Sequence, residues 1–319
     1  MEDKTNQELP TTNYKLQTNL TFGPVPSRRF GVSLGIDLSP DFKQCNYDCL
    51  YCELKAAKTV SKMTQYPSVQ ELVEAVKEKL VSVNTKIDVL TITANGEPTL
   101  YPDLKNLVIE LNKIKGNSKL LILSNGSTIY QKNIQDALMD IDIVKLSLDC
   151  VSNECFHKLD RADKSVHTDE IVKGMVNFRS HFKKDLILEI LFVDTLNNKE
   201  KEILLLKEAI KQIKPNRVDI GTIDRPPAYK VNPISYEELE KISHQLQYPY
   251  INIAHKHRPI FQAYYSQSDI LVLLNRRALS QYDIDHTFDA KSKENLEILI
   301  KDKKVETIDN CGVKFYKIS

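Results

Sequence analysis

Apolar positions in the first two thirds of the chain fall into two alternating rhythms. Aliphatic and β-branched runs occupy residues 31–38 (GVSLGIDL), 87–93, 119–124, 142–149, 186–193 and 217–223. Between them lie stretches with apolar residues three and four apart, near 68–83, 102–113, 131–139, 167–179 and 200–213. The runs predict strands covered on both faces, and the spaced pattern predicts amphipathic helices. Ser68 and Glu71 form a capping box at the start of the first helix, and Leu72, Val73, Val76 and Leu80 share its buried face. Alternation of this kind builds right-handed βαβ crossovers and a parallel sheet. The expected class is α/β, a partial (β/α)6 barrel, with a doubly wound sheet as the structural rival. In either architecture sites form beyond the carboxyl ends of the strands. The polar clusters CNYDCLYC, NGEP, SNG, SLD and DRPP all fall there.

The pattern changes after the sixth run. Residues 229–265 read as a connecting extension with a helix, ISYEELEKISHQL, and a strand-like YINIAHK. Residues 266–319 read as three short helices and two strands joined at Asn310-Cys311-Gly312, the order of a winged helix. Residues 1–20 are a polar lead-in, with a short strand expected near 14–20, and the barrel is expected over 21–228. Pro24 and Pro26 force an extended path that carries Arg28 and Arg29, either as solvated loop charges or as a cation held for an anionic group.

Composition narrows the function classes. The 319 residues carry 44 Lys+Arg against 43 Asp+Glu, so no global field draws in nucleic acid or an anionic membrane. Residues 266–319 balance at nine against nine, and a DNA reader normally carries a basic face. Lys291, Lys293, Lys301, Lys303 and Lys304 still gather locally. No apolar h-region or membrane-length apolar run is present, which predicts a cytoplasmic, reducing setting where grouped cysteines hold metal more often than they pair.

Cys45, Cys49 and Cys52 are grouped in this way, at C-x3-C-x2-C. Soft thiolates point to zinc or an iron–sulfur cluster, with a disulfide pair also open. Structural zinc takes four ligands, and the next cysteine is Cys150 and the first histidine His157. Three thiolates on a [4Fe–4S] cube leave one iron for a chelating ligand. On strand four Lys145, Ser147 and Asp149 alternate onto one face, with Glu189 mid-strand five. Inward polar groups need partners, so Lys145 pairs with Asp149 or Glu189, or these groups read a ligand.

The cysteine spacing, with Tyr51 just before the last cysteine, resembles the cluster loop of radical S-adenosylmethionine (SAM) enzymes. With GPVPSRRFG, GEPTL, LSNGS, KLSLD and DRPPA, the likeness covers roughly residues 20–230. It resembles the bacterial and archaeal Fe–S oxidoreductase branch grouped with tRNA wyosine synthases. The resemblance implies a [4Fe–4S] cluster on Cys45, Cys49 and Cys52, SAM on the open iron, and reductive cleavage of SAM to a hydrogen-abstracting 5′-deoxyadenosyl radical. It implies SAM contacts at Tyr51, Gly96, Glu97, Pro98, Ser124, Asn125, Lys145, Ser147, Asp149, Arg161 and Glu189, with Glu97 alternatively ordering its loop. Implied partners are a flavodoxin- or ferredoxin-type electron donor and an RNA or peptide substrate. The chain departs from the wyosine synthases in lacking a second cysteine set: Cys150, Cys155 and Cys311 read as core or incidental. The rival reading is a cluster-dependent redox regulator that binds nucleic acid through the winged helix without cleaving SAM.

Overall fold

The computed structural model describes residues 20–27, 29–253, 262–310 and 313–319. All but Leu20 of the expected strand near 14–20, together with Arg28, the end of YINIAHK and the Cys311-Gly312 turn, lies outside the described residues.

Eight strands form one sheet in chain order: β1 (Thr21–Ser27), β2 (Gly31–Asp37), β3 (Val89–Thr93), β4 (Lys119–Ser124), β5 (Ile143–Ser147), β6 (Asp185–Phe192), β7 (Arg217–Thr222) and β8 (Ile251–Ile253). β1 runs antiparallel to β2, and every other pairing is parallel. The order never reverses, so the switch point of a doubly wound sheet does not occur.

The crossovers carry α1 (Val69–Ser82), α2 (Leu104–Ile114), α3 (Lys132–Leu138), α4 (Asn153–Leu159), α5 (Thr168–His181) and α6 (Glu200–Ile213), with α7 (Tyr236–Leu246) before β8. The capping box at Ser68 and Glu71 is present. The strand pleat divides the side chains. Leu90, Ile92, Leu120, Ile122, Val144, Leu146, Leu188 and Ile190 are fully buried in the main core that the helices cover. On the opposite face Val89, Leu121, Ile143 and Ile187 close a small cluster with Phe30. One layer further toward the carboxyl ends that face turns polar, at Thr91, Lys145 and Glu189.

The remaining chain is α8 (Gln267–Arg276), β9 (Leu279–Ser280), α9 (Gln281–Thr287), α10 (Ala290–Lys301), β10 (Val305–Asn310) and β11 (Val313–Ile318), with sheet order β10–β11–β9. Its core includes Val25 of β1, with Phe22 packed against it. The Tyr265 hydroxyl donates to the Pro24 carbonyl, Arg276 pairs with Asp37, and Lys79 meets Asp269 at 3.2 Å.

Two elements depart from the sequence reading. The proline-bearing segment is strand β1, because an edge strand tolerates missing N–H donors. α4 lies between the fourth run and the helix near 167–179, where the hydrophobic pattern assigns no element; Ser152 caps it by accepting from the Cys155 N–H.

Candidate functional site

The site is built from the loops that follow β2 to β7. Asp37 ends β2, wholly buried, and accepts from the backbone N–H of Ser39 and Asn95. The cysteine loop docks on the loop after β3: the Gln44 N–H donates to the Asn95 carbonyl, and the Glu97 N–H to the Gln44 carbonyl. Gly96 makes this approach possible. Its φ is +139°, and a Cβ there would overlap the Gln44 carbonyl. The close neighbour of Gly96 is thus the cysteine loop's own backbone, where the sequence reading expected a ligand.

Glu97 is buried, and its carboxylate accepts from Thr99 N–H and hydroxyl, the Ser124 hydroxyl and the Asn125 N–H. Burial pushes its carboxyl up against those four bonds. Glu97 and Ser124 therefore join β3 to β4, the loop-ordering alternative. Pro98 opens a 3-10 turn, Pro98–Leu100. Asn125 reaches the cysteine loop itself: its amide donates to Asn46 Oδ1 at 2.9 Å and lies 3.7 Å from Cys45 Sγ.

The other side of the cysteine loop rests on α4. The Leu50 and Asp48 N–H groups donate to the carbonyls of Leu159 and Asp160, and Cys49 Sγ lies 3.6 Å from the Asp160 carboxyl. Tyr51 donates to Asp149, which also accepts from the Leu191 N–H. Burial raises the Asp149 carboxyl to about 7. Arg161 sits 3.7 Å from Asp48 and over the Tyr229 ring, so it braces the cysteine loop. Lys43 pairs with Asp48 at 2.8 Å, a buried cation that the sequence reading missed.

On the inner face Lys145 pairs with Glu189 and lies 3.5 Å from Asp219. Arg29 reaches across from the β1–β2 turn to Glu189 at 3.1 Å and Asp219 at 3.4 Å. Burial disfavours the Glu189 charge, but Lys145 and Arg29 outweigh it and hold the carboxyl below its usual range. Asp149 is not the partner of Lys145; it turns to Tyr51. The Ser147 hydroxyl makes no hydrogen bond among the described residues, and the residue lines a small recess with Tyr51, Asn125 and Asp149.

The donor set discriminates between metals. Cys45, Cys49 and Cys52 are unpaired thiols held in one loop, where the Cys52 N–H donates to the Cys49 carbonyl. Burial raises all three, Cys45 to about 12, with neighbouring acids adding to it. Such a set needs a cation to carry thiolate charge. Three soft thiolates in one loop supply three of the four ligands a [4Fe–4S] cube takes, where structural zinc closes with four, so the triad fits a cluster with one open iron. Cys150 and Cys155, read as core or incidental, are both buried, and the turn between β5 and α4 folds Cys155 back over Cys150, to which it is joined in a disulfide. Glu202 holds the same turn by accepting from Val151 and Ser152.

The Radical SAM superfamily model matches residues 40–206, just over half the chain. The chain belongs to the radical SAM superfamily. Members of this family are enzymes, and its cofactors, SAM and a [4Fe–4S] cluster, are this chain's. A Helicobacter pylori protein named UPF0026 protein is 40% identical over 302 residues, spanning 93% of this chain and 97% of its own. The UPF0026 protein MJ1312 of Methanocaldococcus jannaschii is 34% identical over 70% of each chain. These relatives fit the bacterial and archaeal branch read from the motifs. A radical SAM methyltransferase from Sphaerobacter thermophilus shares the fold at TM-score 0.56 and 13% identity, over 70% of this chain and 65% of that one. Among the described residues no helix of this radical SAM protein is long and apolar enough to cross a membrane.

Proposed function

We propose that this protein cleaves SAM reductively and uses the 5′-deoxyadenosyl radical to abstract hydrogen from a substrate bound on the inner face of the sheet, within a partial (β/α) barrel. Cys45, Cys49 and Cys52 would hold the [4Fe–4S] cluster, whose chemistry when bound would be one-electron reduction of SAM. The carrying observation is the triad itself: three unpaired thiols held in one loop at the carboxyl-end rim. Asn125 and Ser147 offer SAM an amide and a hydroxyl beside the cysteine loop. Glu189 faces the cavity with its side chain 37% exposed, and Lys145 and Arg29 keep it ionised to accept from hydroxyl groups. Gly96, Glu97, Pro98, Ser124 and Arg161 act one step back, by fixing the loops. Tyr51 and Asp149 fix the last turn of the cysteine loop.

The electron donor is a flavodoxin- or ferredoxin-type protein. Residues 267–318 follow the winged-helix order of helix, strand, two helices and a two-stranded wing, which supports that reading of the C-terminal part. Its balanced charge and its packing on β1 favour a role as a wall of the cavity. An RNA or peptide substrate would present a single nucleotide or residue to it.

The test is anaerobic reconstitution followed by SAM and dithionite, with 5′-deoxyadenosine measured by chromatography. The expected outcome is 5′-deoxyadenosine from the intact protein and none from Cys49→Ala. A reconstituted cluster with no 5′-deoxyadenosine overturns the proposal.

A further inference from the structure

A cavity of about 630 Å³ lies between the inner face of the sheet and α8, a size typical of small-molecule sites. One end holds the Arg29, Lys145 and Glu189 network already described. The other end is built by two guanidinium groups from distant parts of the chain. Arg225 follows β7 in the DRPP turn, and Arg277 caps α8. Both line the cavity, together with Glu53, the residue after Cys52.

The hydrogen bonding of these arginines is incomplete. Arg225 is 8% exposed, and its Nη1 meets Glu53 at 3.0 Å and Asp224 at 3.8 Å. Its Nε is buried with no hydrogen-bond acceptor. A buried guanidinium donor left in that state is costly, and the cavity is where an acceptor fits. The Arg277 side chain makes no hydrogen bond or ion pair among the described residues. Burial and then the adjacent Arg225 charge pull it down to about 10, so it remains a cation at neutral pH, facing a like charge. Three acids lie near Arg277: Glu53 pairs with Arg225 at 3.0 Å, Asp224 lies 3.8 Å from Arg225, and Asp283 accepts from the Ser280 N–H. Two forked donors on neighbouring parts of the wall, Arg225 buried and Arg277 half-buried, match a carboxylate or phosphoryl group.

We propose that Arg225 and Arg277 form an oxyanion subsite in this cavity, and that the substrate carries a phosphoryl or carboxylate group bound there. The proposal rests on the cavity being the chamber of the SAM reaction. It gives the C-terminal part a direct place in substrate selection, since Arg277 arrives from α8. It also sets polarity: the anionic end of the substrate lies toward Arg225 and Arg277.

The test uses the anaerobically reconstituted full chain with saturating SAM. Inorganic phosphate and succinate are titrated at constant ionic strength against chloride, and thermal unfolding is followed. The expected result is a saturable rise in Tm with one of the two anions, which also tells phosphoryl from carboxylate substrates. Arg277→Gln is expected to weaken that anion's apparent affinity about tenfold or more, and Arg277→Lys to recover part of it. Arg225→Gln serves as the second variant, since Arg277 lacks the Glu53 tie that makes Arg225 also structural. No saturable shift with either anion overturns the proposal. So does a shift unchanged in Arg277→Gln, or an anion that competes with SAM, which would assign the arginines to the carboxylate of SAM. The readout needs no SAM cleavage, so loss of the enzymatic reading and loss of the subsite give separate results.

Discussion

At the scale of single residues, buried carboxylates hold the rim together, and they do so in different ionisation states. Asp149 accepts from Tyr51 and the Leu191 N–H while burial raises it to about 7, from an ordinary value of 3.8. A carboxyl raised on folding contributes stability that is full below its unfolded pKa and is lost as pH rises through the folded one. Asp149 therefore stabilises the fold at pH 4 and loses that contribution by about pH 7, at most about 4 kcal/mol. Urea unfolding of the metal-free protein should show a decline over this window that Asp149→Asn lacks. The cysteine ligand set was legible because three soft donors in eight residues are rare. Lys43, Asp48 and Asp160 were not legible: lysines and aspartates occur everywhere, and Asp160 meets Cys49 across 111 positions. The Lys145 partner was half legible. Strand alternation put Lys145, Asp149 and the next strand's Glu189 within reach, and only the register settled it, by setting Glu189 opposite Ser147.

At the scale of elements, the loops after β2 and β3 are one joined structure. Gly96 is the contact point, and its left-handed φ and the Gln44 carbonyl leave no room for a side chain. Gly96→Ala should destabilise the protein by about 3 kcal/mol. It should also lower iron bound per chain after reconstitution, because the displaced segment is the cysteine loop; calorimetry and iron analysis read the two effects. The strands from β2 to β7 and their long helices followed hydrophobic period closely, since a parallel strand covered on both faces has little freedom in composition. β1 and α4 escaped it. β1 carries two prolines that argue against a strand until its edge position is known. α4 is seven residues long, and its sequence, NECFHKL, is too short to establish a period.

At the scale of the whole molecule, the last fifty or so residues are part of the same body as the sheet. Val25 belongs to their core, Arg276 pairs with buried Asp37 beside the cysteine loop, and Arg277 lines the cavity. Deleting residues 266–319 should therefore remove more than an appendage. Phe22 and Val25 lose their apolar cover and Asp37 its cation, so the shortened chain should show a Tm lower by 10 °C or more, or collect as insoluble protein. An unchanged Tm would identify two independent units. Sequence patterning separated this region by a change of rhythm, yet could not show that its core reaches back to residue 25, because contacts between chain ends leave no mark on local periodicity.

The Tyr265 to Pro24 seam has a consequence for biosynthesis. A ribosome releases β1 first and the segment that completes its packing last. The Phe22 side of the sheet thus stays uncovered, an aggregation-prone edge, until Tyr316 has cleared the exit tunnel. The clamp on the Asp37 end of the cysteine loop is likewise completed only after the cysteines have emerged, because its cation, Arg276, is synthesised more than two hundred residues later.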